Sequence, residues 1–270
     1  MRKLITIATL LLMSVAYGQK KSFTYKLQGV KTVKIDTDTK VVITALGSNE
    51  LNIKEKNYNE NSHCGDCDHD QGGNRKSLEE KTKGLKAIYP GGEDSTDGMG
   101  FSIEKSGDVL NVVDLLSHVK RKKLYITLPK NINIIFDTPN LGAVEVIGFT
   151  SEVEAKTNVG AIVMKDVTGP ITVNANAANV NIEFSKVNQS SPITIFSNVG
   201  EIDVTIPENT KANLDLRTRG TFYTNFDIEM PKKDGLRAVR GSQKISSTLN
   251  NGGVQIKLKS TMGNIYLRKK

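Results

Sequence analysis

The densest chemistry in the chain is the run His63-Cys64-Gly65-Asp66-Cys67-Asp68-His69-Asp70, which holds both cysteines and two of the three histidines. Two cysteines with no others to pair with suit a local Cys64–Cys67 disulfide in an oxidising compartment. His63, Cys64, Cys67 and His69 are also four ligands of the types that zinc takes, although structural zinc sites join two separated pairs. A redox thiol would need a helix start to lower its pKa, and no helical pattern adjoins it. The remaining reading is a passive loop.

A second group is carboxylate. Glu183, Asp203 and Asp227 recur at similar intervals in comparable strand contexts, so stacked strands would carry them as one acidic row, preceded by Glu145 and Val163. Two acids about 5 Å apart can share calcium or carry out retaining glycoside hydrolysis. The plainer reading is a solvated face relieved by Lys165, Lys186 or water, because a row lacks the convergent pocket that catalysis requires. Val119-Lys120-Arg121-Lys122-Lys123 could meet an anionic glycan or lipid headgroup, but such runs usually form turns or solubilising edges. Gly91 to Gly98 lacks the ligand spacing of an EF-hand and reads as a turn. His118 has no nucleophile in its sequence context and receives no role.

The elements that would position these groups are strands. Thr32-Val33-Lys34-Ile35-Asp36, Leu124-Tyr125-Ile126-Thr127-Leu128 and Val254-Gln255-Ile256-Lys257-Leu258 alternate apolar with polar residues, the period of a half-buried strand. Between Asn140 and Asp227 a phrase returns: Asn140-Leu141-Gly142, Asn158-Val159-Gly160, Asn179-Val180-Asn181 and Asn198-Val199-Gly200, each followed by an apolar strand. The inward pairs align as Val144/Val146, Ile162/Met164, Ile182/Phe184 and Ile202/Val204. A second strand in each unit supplies Val153/Ala155, Ile171/Val173, Ile193/Ile195 and Leu214/Leu216.

Such units predict an all-β, single-stranded parallel β-helix or β-solenoid of about 18–22 residues per coil, right-handed by the usual crossover rule. Prolines at 129, 207 and 231 end strands at corners, where a missing donor does no harm. An antiparallel sandwich is the rival, but it has no reason to repeat register and corner residues. The polar stretch at about 57–82 reads as a loop inserted into this fold. The closing strand Asn264-Ile265-Tyr266-Leu267 runs into Arg268-Lys269-Lys270, charges that would protect a terminal edge.

Met1-Arg2-Lys3 followed by the apolar run Leu4 to Ala16 has the form of a signal peptide, residues 1–18, with the mature chain beginning at Gln19. Glutamine rather than cysteine after the cut argues against a lipid anchor. No later apolar run approaches the length of a membrane span. The formal charge is +8, and +6 without Arg2 and Lys3, which points toward anionic glycans or headgroups; nucleic acid does not suit an exported protein.

The coil phrases, the strand-Pro-Lys/Glu-Asn phrases at Pro129 and Pro207, Gly98-Met99-Gly100-Phe101 and the ending Gly263-Asn264-Ile265-Tyr266-Leu267 resemble the bacterial family called "putative adhesins", a domain of unknown function related to the GIN head domain. The resemblance covers most of the mature chain. It implies a β-solenoid, a periplasmic, cell-surface or extracellular location and an adhesive role, and supplies no catalytic residues.

The sequence therefore predicts an exported, non-enzymatic envelope protein over residues 19–270, without a cofactor. Its faces would bind surface polysaccharide or envelope protein. A calcium-assisted polysaccharide lyase or hydrolase acting at the acidic row, and an envelope-stress or signalling component, are the alternatives.

Overall fold

A computed structural model describes residues 22–55, 83–85, 88–116, 123–228 and 241–270. The region proposed as the signal peptide, the inserted loop with His63, Cys64, Cys67 and His69, His118, most of the basic run and Pro231 lie outside the described residues. Among the described residues there are eighteen strands and no helix, joined in one large mixed sheet.

The sheet is built from two ladders. The first runs in space through β5 (Phe101–Ser106), β6 (Val109–Asp114), β2 (Thr32–Asp36), β8 (Asn133–Leu141), β10 (Val153–Val167), β11 (Ile171–Phe184), β12 (Ile193–Val199), β17 (Val254–Ser260), β14 (Ala212–Thr218) and β16 (Gln243–Leu249). The second runs through β1 (Ser22–Lys26), β4 (Glu50–Glu55), β7 (Leu124–Pro129), β3 (Val41–Leu46), β9 (Val144–Ile147), the second halves of β10 and β11, β13 (Ile202–Ile206), β18 (Ile265–Lys269) and β15 (Phe222–Thr224). The long strands β10 and β11 belong to both ladders.

Alternation decides which side each residue takes. Val153 and Ala155, Ile171 and Val173, and Ile193 and Ile195 are buried, and they stack with the inward residues of the other ladder in a single apolar cluster. Pairing is parallel through the middle of both ladders. It is antiparallel at β1–β4, β4–β7, β5–β6 and β14–β16, so the all-parallel expectation holds for part of the sheet only.

Two layers are out of chain order. The pair β2/β3 is inserted between β6/β7 and β8/β9. At the other end β17/β18 is inserted between β12/β13 and β14/β15, so Ile193 pairs with Ile256 and not with Leu214. The basic C-terminal strand β18 is thus an interior strand flanked on both sides, and its charges protect no edge.

Register also differs from the expected alignment. Ile162 pairs with Val180, and Met164 with Ile182. In turn Val180 and Ile182 pair with Ile202 and Val204, whereas Phe184 packs beside Val167, past a shift in β10. The reason lies at the corner. Asn176 donates to Asn158 (2.9 Å) and Asn198 donates to Asn176 (3.2 Å), so Asn176-Ala177-Ala178 occupies the place of Asn-Val-Gly, and Asn179 does not. The steps become 18 and 22 residues.

The corner is a repeated backbone contact. A Cβ on Gly160 would lie 1.6 Å from the Gly142 carbonyl oxygen, one on Gly200 2.0 Å from that of Ala178, and one on Gly263 2.0 Å from that of Gly200. The same three carbonyls accept a hydroxyl from inside the next layer, Thr157 to Gly142 (3.4 Å), Ser197 to Ala178 (2.9 Å) and Ser260 to Gly200 (2.9 Å), and the Gly263 carbonyl, which a Cβ on Gly220 would approach to 2.6 Å, accepts from Thr218 (2.5 Å). The layer of β11 has Ala175 at the hydroxyl position and Ala178 at the glycine position, so both halves of the device are missing there together.

Gly200→Ala tests this contact. With φ at +149° and a carbonyl in the way, it should destabilise by at least about 1–3 kcal/mol. Gly98→Ala, at φ +96° but with nothing within 4 Å of the new Cβ, should cost less. Urea denaturation of the two variants reads the difference.

Candidate binding surface

The structure separates the three acids expected in one row. Asp203 faces outward on β13 with Asn181 on one side and Tyr266 on the other. Glu183 lies two positions further along, opposite Thr205, and Asp227 follows β15 outside the ladder. Each of the first two is held by a base from the C-terminus. Arg268 grips Asp203 through Nε (2.8 Å) and an η nitrogen (2.9 Å), and Lys270 approaches Glu183 at 2.5 Å. Glu145 pairs with Lys165 at 2.8 Å, and that hydrogen bond is the main cause holding its carboxyl below the usual range.

Carboxylates do meet elsewhere. Asp36 and Asp137 are neighbours across the parallel β2–β8 pair, though they lie far apart in the chain. Burial first, and then the Asp137 charge, push the Asp36 carboxyl above its ordinary value. The acids around them serve structure. Asp38 accepts from the Thr138 hydroxyl (3.2 Å) and from the Asn140 backbone (3.0 Å) and side chain (2.7 Å). Asp114 accepts from Thr37 (2.9 Å) and Thr39 (3.1 Å), tying β6 to the β2–β3 corner.

The glycine-rich segment 91–98 is organised by Asp94. Its carboxylate accepts from the Thr96 N–H and hydroxyl and from the N–H groups of Gly98 and Gly100, at 2.7–3.0 Å. Burial works against the charge, but those four bonds outweigh it and hold the carboxyl below the usual range. This is a carboxylate-centred turn, with its oxygens committed to backbone and hydroxyl donors. Among the described residues no group of three or more His, Cys, Asp or Glu could hold a metal ion.

The surface best built for contact lies on β18 and β15. Tyr266 and Tyr223 are in register at outward positions, and their rings stack at 5.1 Å with 12° between planes. Tyr223 remains 50% exposed. Glu201 accepts from the Tyr266 hydroxyl and the Asn264 amide, both at 3.1 Å, and Arg268 lies 5.3 Å from the Tyr266 ring centre. A shallow cleft of about 500 Å³ runs past Tyr223, Asn225, Tyr266, Arg268 and Lys269.

The result is an aromatic ledge of two stacked rings with a charged and amide rim. Such a ledge offers ring faces to apolar C–H surfaces and a choice of donors and acceptors to hydroxyls. The sequence hides it because Tyr223 and Tyr266 meet only through the inserted layer.

No protein-family model matches the chain, and no curated protein matches it. Among solved structures, a crystal structure named a "putative cell adhesion protein", from Clostridium sporogenes ATCC 15579, aligns with a TM-score of 0.44 and 11% identity over 93% of this chain and 99% of that one. Among the described residues no helix is long and apolar enough to cross a membrane.

Asp36 supplies a pH test. A carboxyl whose pKa is raised on folding weakens the fold above that pKa, and the deficit disappears as pH falls below the unfolded value of about 3.9. Asp36→Asn should therefore raise the urea midpoint at pH 7 and have little effect near pH 3.

Proposed function

We propose that this is an exported, non-enzymatic envelope protein that binds extended surface glycans, and that its ladders are successive turns of a right-handed β-solenoid. In this reading the turns are capped by antiparallel strands and two of them are filled out of chain order. The parallel in-register stacking from β8 through β13, with corners in a column, favours the solenoid. The usual hand of parallel crossovers favours the right-handed form.

The observation that carries the binding role is the exposed Tyr223–Tyr266 stack with its hydrogen-bonding rim. Sugar rings present an apolar C–H face and an equatorial belt of hydroxyls, which the ledge and the rim match. A binding role is further favoured because the acids expected in one row are separated, and Asp203 and Glu183 are engaged by cations. Contact over a flat face would be weak for each site and would gain strength from repetition on a surface.

Two measurements follow. Mass spectrometry of the protein recovered from the envelope or medium of an expressing cell should place its first residue at Gln19; retention of residues 1–18 overturns the export reading. On a glycan array the mature protein should retain neutral or mixed glycans. Combined Tyr223→Ala and Tyr266→Ala should weaken retention tenfold or more, in line with about 0.5–1.5 kcal/mol per aromatic contact. Unchanged retention by the double variant would remove the ledge from the mechanism.

A further inference from the structure

The opposite ladder carries a different chemistry on its outward positions. One row crosses the sheet in the order Asp36, Asp137, Lys156, Asn174, Phe196, Lys259, Arg217, Lys244, each residue paired in register with the next. Two carboxylates begin the row, Lys156 follows and lies 3.9 Å from Asp137, Asn174 and Phe196 come next, and three consecutive cations end it. The adjacent row adds Thr194 and Lys257 beside Asp215. The final layers therefore expose Lys257, Lys259, Arg217 and Lys244 around one carboxylate.

That carboxylate is already used. Arg217 binds Asp215 through Nε (3.1 Å) and an η nitrogen (3.2 Å), and Lys244 stands at 3.9 Å. Among the described residues Lys257 and Lys259 make no ion pair; Lys259 lies instead over the Phe196 ring, 5.1 Å from its centre. Like charges on directly opposed strands, about 4.8 Å apart, repel and destabilise the sheet. The three layers before them hold Lys156, Asn174 and Phe196 in the same row, one cation where the final layers hold three.

We propose that this basic face binds a linear acidic polysaccharide, one carrying a carboxylate on successive sugar residues. The strand spacing sets Lys259, Arg217 and Lys244 at regular intervals, so a chain laid across β17, β14 and β16 would offer an anion to each of the three, with Phe196 of β12 beside it. A groove of about 240 Å³ between Thr194, Phe196, Asp215, Arg217, Lys257 and Lys259 supplies an aromatic side for a sugar ring and hydroxyl partners beside it. At the far end Asp36 and Asp137 stand against the single cation Lys156, 3.9 Å from Asp137, so that end offers an acidic chain no net positive charge. This site goes beyond the tyrosine ledge and does not depend on it.

The test is binding of the mature protein to polygalacturonate, with fully methyl-esterified polygalacturonate as the uncharged counterpart and phosphatidylglycerol vesicles as the lipid counterpart. Polygalacturonate should bind, the ester should not, and affinity should fall steeply from 50 to 300 mM salt, as screening of an exposed charged face requires. Lys257→Glu with Lys259→Glu should reduce binding at least tenfold, and Lys257→Gln with Lys259→Gln should reduce it less. The glutamine pair should unfold at the same or a higher urea concentration than the parent, because repulsion is relieved. Combined Tyr223→Ala and Tyr266→Ala should leave polygalacturonate binding unchanged, which keeps failure of the ledge distinct from failure of this face. Equal binding of the ester, unchanged binding by the glutamate pair, or preference for the vesicles would each overturn the proposal.

Discussion

The corner where a glycine lies against the carbonyl of the layer beside it is the contact on which the rest of the structure depends. Gly160, Gly200 and Gly263 have no room for a Cβ, and the carbonyls they meet also accept a buried hydroxyl from Thr157, Ser197 or Ser260. Backbone approach and hydrogen bond together fix how far one layer is displaced along its neighbour. In a sheet, a shift of one residue sends every side chain to the other face. This contact consequently decides which residues are buried, which are exposed and which outward side chains become neighbours.

Insertion of β2/β3 and β17/β18 out of chain order has two consequences. It makes strands from distant parts of the chain direct neighbours inside the sheet, while antiparallel strands β1, β4, β5 and β16 lie toward its ends. It also places the basic C-terminus in the interior of a ladder. There Arg268 and Lys270 neutralise Asp203 and Glu183, and Tyr266 can stack on Tyr223. Strand β18 is held between two parallel neighbours, β13 on one side and β15 on the other.

Inward and outward positions divide the work. The inward positions are apolar, mostly Val, Ile and Leu with some Phe, Ala and Met, and make a continuous core. The outward positions are free to differ. One ladder ends in stacked tyrosines rimmed by Glu201, Asn264 and Arg268. The other ends in Lys259, Arg217 and Lys244 beside Phe196. The two ladders thus present outward surfaces of unlike chemistry on one sheet.

Strand type and burial were legible in the sequence because they depend on residues two apart. The alternation at Val153-Glu154-Ala155 or Ile256-Lys257-Leu258 states which side each residue takes and marks these segments as strands. The polar corners at Pro129 and Pro207 were legible for the same reason, since their turns close within three residues. Stacking order was not legible. Asn176-Ala177-Ala178 takes the corner that Asn179 resembles more closely by letter, because the deciding bonds run to Asn158 and Asn198 in other layers. Asp36 beside Asp137, and Tyr223 beside Tyr266, are likewise products of which layer was inserted where. Local side-chain chemistry sets the pleat of each strand, whereas neighbours across the sheet are chosen by backbone contacts that only the assembled fold can make.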